Sequence, residues 1–214
     1  MSGMHHDDLA QTVFVVDDDT ATRRSLSWML ESAGRRVEAF PSGEAFLEAY
    51  RSDRGGCLVL DLRMPGMTGL VLQEHLTRRG IRLPVIMLTG YGEVAVAVQA
   101  LQSGAIDFME KPVDEARLLK CIDTAFGLDA DRRRREQVRR TCASRIDRLT
   151  RREREVMTMV VAGKANKVVA YELGISQKTV ESHRARVMLK LEVGSLADLV
   201  RLEWLAAYGD PRRD

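Results

Sequence analysis

Four short β-rich runs in the first half of this chain, three of them wholly apolar, lead into residues able to do chemistry, and that pattern narrows the fold more than any other feature. Val13–Val16 runs into Asp17-Asp18-Asp19, Cys57–Leu60 into Asp61, and Pro84–Leu88 into Thr89. Ile106–Met109 is followed by Lys111-Pro112, and a fifth run, Val37–Phe40, lies between the first two. Helical spacing fills the intervals: Leu26, Met29, Leu30 and Ala33 recur at i, i+3, i+4 and i+7 before Gly34. Further helices are predicted over about Ser42–Arg51, Thr68–Arg79, Glu93–Ser103 and Asp114–Phe126. Strands that are apolar throughout, and do not alternate, are buried on both faces. With helices between them they build a parallel sheet covered on each side. Five such units predict a flavodoxin-like, doubly wound α/β domain.

In such a sheet the carboxyl ends of the strands form the ligand-binding edge. The pattern therefore brings Asp17, Asp18, Asp61, Thr89 and Lys111 to one edge. Three carboxylates gathered there repel one another, and a hard dication such as Mg²⁺ suits them, held by carboxylates, water and phosphate. A carboxylate beside such an ion is a nucleophile for a phosphoryl group, because that transfer depends on positioning and charge neutralisation. Lys111 adds a point charge and Thr89 a hydroxyl donor. Taken singly, each residue has a plainer reading. Asp17–Asp19 suits a helix N-cap, Phe108 a core, Lys111 a solvated surface, and Pro65-Gly66 and Gly69 an ordinary loop. Only their joint placement separates the two readings.

The segments V-F-V-V-D-D-D (Val13–Asp19), L-V-L-D-L-R-M-P-G-M-T-G (Leu58–Gly69), L-T-G-Y-G (Leu88–Gly92) and D-F-M-E-K-P (Asp107–Pro112) occur in that order. Over about residues 11–128 the chain resembles the CheY-like receiver domains of two-component response regulators. The resemblance implies that Asp61 is the phosphoacceptor, charged by a sensor histidine kinase. Asp18, Asp61 and the backbone carbonyl of Arg63 would hold Mg²⁺, with Asp17 acting through water. Thr89 and Phe108 would be the switch pair, Lys111 would touch the phosphoryl group, and the peptide before Pro112 would be cis.

The second half is of another kind. Residues 1–130 carry 13 Lys and Arg against 19 Asp and Glu, a net −6, and residues 131–214 carry 20 against 12, a net +8. A basic half suits nucleic acid, although a solvated arginine-rich surface reads equally well from charge alone. Residues 129–145, with the run Arg132–Arg135, lack a wide apolar stripe and read as a helical linker, one long helix or a tether. Thr150-Arg151-Arg152-Glu153 is a capping box that opens a helix to about Ala162, ended by Gly163. A second helix over Asn166–Leu173 stops at Gly174, Ser176 caps a third reaching Leu191, and Ser195 caps a fourth to about Tyr208. Val168, Val169, Leu173, Ile175, Val180, Val187 and Leu191 fall at core spacing. Four helices around a Gly-Ile-Ser turn predict an all-α helix-turn-helix domain over residues 146–212.

L-T-R-R-E-R-E-V at Leu149–Val156 and the stretch Asn166–Leu191 resemble the LuxR/FixJ-type output domains of NarL-like regulators. That resemblance implies a recognition helix at Gln177–Leu191, in which Glu181, Ser182 and Ala185 face bases. Lys178, Thr179, Arg184 and Lys190 would meet phosphates, and Asn166, Lys167 and Ser176, on the second helix and the turn after it, are counted with them as DNA-binding. His183 suits DNA or an interhelical hydrogen bond. Together the two resemblances imply a phosphorylation-activated transcription regulator that is not an enzyme and dimerises on promoter DNA, with RNA polymerase as a further partner. Cys57, Cys121 and Cys142 show neither metal-ligand spacing nor a paired framework, and no run is long and apolar enough for a membrane helix, so a cytoplasmic protein is expected. Two alternatives stand beside this reading. One is regulation without phosphorylation. The other is a haloacid-dehalogenase-type phosphatase using Asp17 and Asp19, which expects Thr or Val where Ala21 stands and leaves the basic half without a role.

Overall fold

A computed structural model describes residues 11–90 and 101–210. Its residues divide into two compact units, 1–132 and 133–214. In the first, strands β1 (Thr12–Val16), β2 (Arg36–Phe40), β3 (Gly56–Asp61), β4 (Val85–Thr89) and β5 (Asp107–Glu110) form one sheet in the order β2-β1-β3-β4-β5. Every neighbouring pair is parallel. Helices α1 (Thr20–Ser32), α2 (Gly43–Ala49) and α3 (Gly69–Arg78) connect them. The helix expected over Glu93–Ser103 lies outside the described residues up to its last turn, as do Tyr91-Gly92.

Because side chains alternate along a strand, the sheet has two inner faces. Phe14, Val16, Leu58, Leu60 and Met87 pack under α2 and α3 through Phe46, Leu72 and Leu76. Val13, Val15, Cys57, Val59, Ile86, Leu88 and Met109 pack under α1 and the helix after β5, through Leu26, Leu30, Leu118 and Ile122. Each fully buried Leu or Phe side chain stabilises the fold by about 2–3 kcal/mol relative to exposure, so both faces must stay covered.

The helix after β5, α4, runs from Glu115 to Asp147 without interruption. The expected stop at Phe126 does not occur. Gly127 is not among the glycines with positive φ, so it stays in the helix instead of terminating it. Two contacts tie this stretch to the amino edge of the sheet. Gln11 donates Nε2–H to the Phe126 carbonyl at 2.8 Å, and the fully buried Asp129 accepts the Gly56 N–H at 2.9 Å. Gly56 has φ +143°, and a Cβ there would lie 1.9 Å from the Thr12 carbonyl, so only glycine fits. Further along α4, Glu136 pairs with Arg139 and Arg140, which hold its carboxyl down at about 2.

The second unit holds α5 (Arg151–Val161), α6 (Asn166–Leu173), α7 (Gln177–Lys190) and α8 (Leu196–Tyr208). The capping box is present: the Glu153 N–H donates to Thr150 Oγ1, and the Thr150 N–H donates to the Glu153 carboxylate. Ser176 and Ser195 cap α7 and α8. Cys142 and Ile146 of α4 join Val156, Val160, Val169, Val180, Val187, Leu191 and Leu199 in one core. Val168 does not: it is 44% exposed. The buried stripe of α6 runs through Val169 and Ala170, and Val168, about 100° from Val169 around the helix, turns outward.

Candidate functional site

Register places the acidic residues. Val16 pairs with Leu60 across β1 and β3, so Asp17 and Asp61 emerge side by side at the carboxyl edge, where the strand order reverses. Asp17 and Asp61 are buried and Asp18 is exposed. One carboxylate oxygen from each lies within 4.8 Å of the others, a spacing that could hold a metal ion. Lys111, just beyond β5, reaches past the end of β4. Its Nζ donates to Asp17 Oδ2 at 2.7 Å and stands 2.8 Å from Asp61 Oδ1. Burial pushes the Asp61 carboxyl above the usual carboxylate range, the Lys111 ammonium pulls it back, and Asp17 and Asp18 push it up again. Lys111 is itself raised: burial lowers it, but the two carboxylates outweigh that.

The loops that carry these side chains are held locally. The Asp19 N–H donates to Asp17 Oδ1 at 2.9 Å, and Arg23 Nη1 donates to the Asp17 and Asp18 carbonyls at 2.7 and 3.2 Å. Asp19 is the N-cap of α1, so the plainer reading of the aspartate run holds for this one member. After Asp61 the chain folds back, and the Gly69 N–H donates to the Leu62 carbonyl. A Cβ at Gly69 would lie 2.5 Å from the Asp61 carbonyl, so the turn needs glycine. Thr89 is buried and its hydroxyl donates to the Gly90 carbonyl at 2.9 Å. Met87 pairs with Phe108 and Thr89 with Glu110, which puts Thr89 and Phe108 on one face of the sheet, two positions apart. Phe108 is half-buried against the α2/α3 core. Arg63 is exposed, and the Lys111-Pro112 peptide is cis.

In the second unit, Lys178, Glu181, Ser182 and Ala185 are exposed along one side of α7, and Arg186 and Leu189 extend that side. Lys167 and Ser176 are also exposed. Four other expected contacts are engaged within the domain. Thr179 shares a 2.8 Å hydroxyl hydrogen bond with Ser176. Arg184 donates to Asn166 Oδ1 at 2.6 Å, and Lys190 Nζ donates to Glu153 Oε2 at 2.7 Å. His183 is half-buried, and its Nδ1 finds no hydrogen-bond partner among the described residues. Arg145 escapes the motifs altogether: its guanidinium donates to the Leu191 carbonyl, and nothing in the local spacing of either residue announces that pairing.

Comparison with known proteins agrees with this geometry. Residues 13–123 match the family described as the response regulator receiver domain, and residues 147–203 match the bacterial regulatory proteins of the luxR family. The chain is 46% identical over 194 residues to the transcriptional regulatory protein FixJ of Azorhizobium caulinodans, covering 91% of this chain and 92% of that one. It is 38% identical over 198 residues to the response regulator protein TodT of Pseudomonas putida, covering 92% and 87%. Among solved structures, the response regulator StyR matches with a TM-score of 0.82 at 43% identity, covering 91% of this chain and 98% of that one. Full-length FixJ of B. japonicum matches with a TM-score of 0.57 at 40% identity, covering 92% and 97%.

Proposed function

The chain belongs to the response regulators that join a receiver to a LuxR-type DNA-binding domain, and is a phosphorylation-dependent transcription regulator; on that premise we propose that Asp61 is its phosphoacceptor, charged by a sensor histidine kinase. The observation that carries this reading is the Lys111 ammonium, within bonding distance of both Asp17 and Asp61 at the sheet's carboxyl edge. An Asp61 oxygen attacks phosphorus on the kinase phosphohistidine, the P–N bond breaks, and the imidazole nitrogen leaves with the electron pair. Lys111 meets the incoming phosphoryl oxygens as a point charge.

The three carboxylates are hard oxygen donors at a spacing that fits Mg²⁺. Asp18, Asp61 and the Arg63 carbonyl would hold the ion, and Asp17 would hold it through water. When bound, Mg²⁺ neutralises phosphoryl charge. The Thr89 hydroxyl then leaves the Gly90 carbonyl for the phosphoryl group, and Phe108 repacks. The receiver acts on its own aspartate and is otherwise not an enzyme. Phosphorylation promotes a homodimer whose two α7 helices read promoter DNA through the Lys178–Ala185 side, in the cytoplasm, with RNA polymerase as the next partner.

Treating the wild-type chain and Asp61→Asn with acetyl phosphate and Mg²⁺ tests this reading. The wild type should take up label, dimerise and bind DNA more tightly, and the variant should do none of these. Equal labelling of the variant would remove Asp61 from its role. Labelling of the wild type without any change in dimerisation or DNA affinity would favour regulation that does not depend on phosphorylation.

A further inference from the structure

The carboxyl end of α7 is held from three directions. Lys190, its last residue, donates to Glu153, whose carboxylate also closes the capping box of α5. Leu191, the C-cap, gives its carbonyl to the Arg145 guanidinium on the last turn of α4. A carbonyl at a helix end has no partner within the helix, and a cation there also complements the helix dipole. Beyond it, the Glu192 N–H donates to the Leu189 carbonyl and the Val193 N–H to the Met188 carbonyl, the pattern in which a left-handed residue ends a helix. Elsewhere in the chain that left-handed position is taken by glycines such as Gly163, with φ +80°. Here it is taken by Glu192 at φ +52°, the one non-glycine residue of positive φ among the described residues. A strained residue of this kind persists only where its surroundings over-determine the conformation.

We propose that Glu153 and Arg145 are positioning residues for DNA recognition: they hold the recognition helix by its carboxyl end, and Lys190 acts through Glu153 instead of through a DNA phosphate. The Glu153 carboxylate is almost fully buried, and it holds the Lys190 ammonium against α5. A guanidinium on Leu191 ties the same end to α4. Small rotations at this end move Glu181, Ser182 and Ala185 relative to base edges, and they leave the charge presented to the backbone unchanged. Specific contacts are therefore lost before non-specific ones.

This inference rests on α7 meeting DNA, which is checked separately by whether the wild-type chain enriches a duplex from a random-sequence pool. The full chain and its variants Lys190→Met, Glu153→Gln, Arg145→Gln and the Glu153/Lys190 double variant are then titrated with that duplex and with an unrelated one. The titrations span a salt series, at a temperature where each variant is folded by circular dichroism. Each single variant should lose about tenfold in affinity for the enriched duplex and hold its affinity for the unrelated one. The double variant should lose no more than either single change, since the pair is one device. The slope of log affinity against log salt should not move. A Lys190→Met slope shallower by about one would mark a phosphate contact and overturn the proposal. So would additive losses in the double variant, or parallel losses on both duplexes. Arg145→Gln leaves the capping box intact, so it still decides the question if the Glu153 variants do not fold.

Discussion

Lys111 Nζ lies 2.7 Å from Asp17 Oδ2 and bridges from there to Asp61, so one ammonium serves as counterion for two buried carboxylates. Removing one partner of a buried pair leaves an uncompensated charge, at about 3–5 kcal/mol where water is excluded. Lys111 keeps a quarter of its side chain exposed. A smaller loss of about 1–3 kcal/mol is therefore expected for Lys111→Met in the first unit's unfolding transition, followed by calorimetry in chelator. Millimolar Mg²⁺ should recover most of that loss, because a dication replaces the missing charge. A variant as stable as the wild type, or one indifferent to Mg²⁺, would contradict the charge balance described for this edge.

The turn after Asp61 depends on Gly69. Its missing Cβ leaves room for the Asp61 carbonyl, which would otherwise be approached to 2.5 Å. In Gly69→Ala the backbone of Asp61 must move, with a stability loss of about 1–3 kcal/mol, the usual cost of overpacking. Displacement of the attacking carboxylate should also slow labelling by acetyl phosphate, measured as an initial rate on phosphate-affinity gels. An alanine variant that labels at the wild-type rate would show that the Asp61 loop tolerates the shift.

Legibility in sequence followed the range of the forces involved. The ends of β1, β3 and β4 can be read because each buried apolar run stops at a polar side chain, and parallel pairing then brings those ends together. Helix starts at Ser42, Thr150, Ser176 and Ser195 can be read because a cap acts within three residues. The helix end expected near Phe126 is not where α4 stops, because α4 is anchored on both sides of Gly127 by Gln11 and by the Gly56 N–H, far away in sequence. The Lys190–Glu153 pair is hidden for the same reason, because the two residues stand 37 positions apart in sequence. Short-range chemistry is visible in a single sequence, whereas pairings closed by the tertiary fold are not.

Glu153 also sets a pH window for the second unit. Lys190 first, and the Thr150 capping interactions after it, hold its carboxyl down at about 2 against an ordinary value of 4.5. A carboxyl depressed in the folded state contributes stability that is fully present above about pH 4.5. That stability is lost as pH falls from there toward 2. The chain has two tryptophans, Trp28 in the first unit and Trp204 on α8, so a Trp28→Phe background reports on the second unit by fluorescence. In that background, stability should fall across pH 4.5 to 2, and Glu153→Gln should flatten the fall while lowering stability at neutral pH. Glu136 titrates in the same window. The flattening must therefore be absent from a Glu136→Gln control, and a control that behaves like Glu153→Gln would move the effect to α4.

Asp129 offers the last test, at the opposite edge of the sheet from Asp61. Its carboxylate is fully buried, accepts the Gly56 N–H at the start of β3, and pairs with Arg132 one turn further along α4. Asp129→Ala leaves a buried amide without its acceptor and a guanidinium without its anion. About 3 kcal/mol of the first unit's stability should go, within the range for broken buried pairs. Asp129→Asn keeps one acceptor oxygen for the amide, so it should lose less. Amide exchange resolves the two effects: peptides that start β3 at Gly56 and span α4 around Gly127 should lose protection together, because one side chain fastens both. The α5–α8 peptides, packed on a separate core, should hold theirs. Loss of protection at Gly56 with α4 unchanged would mean that Gln11 and the apolar face of α4 are enough to seat the helix.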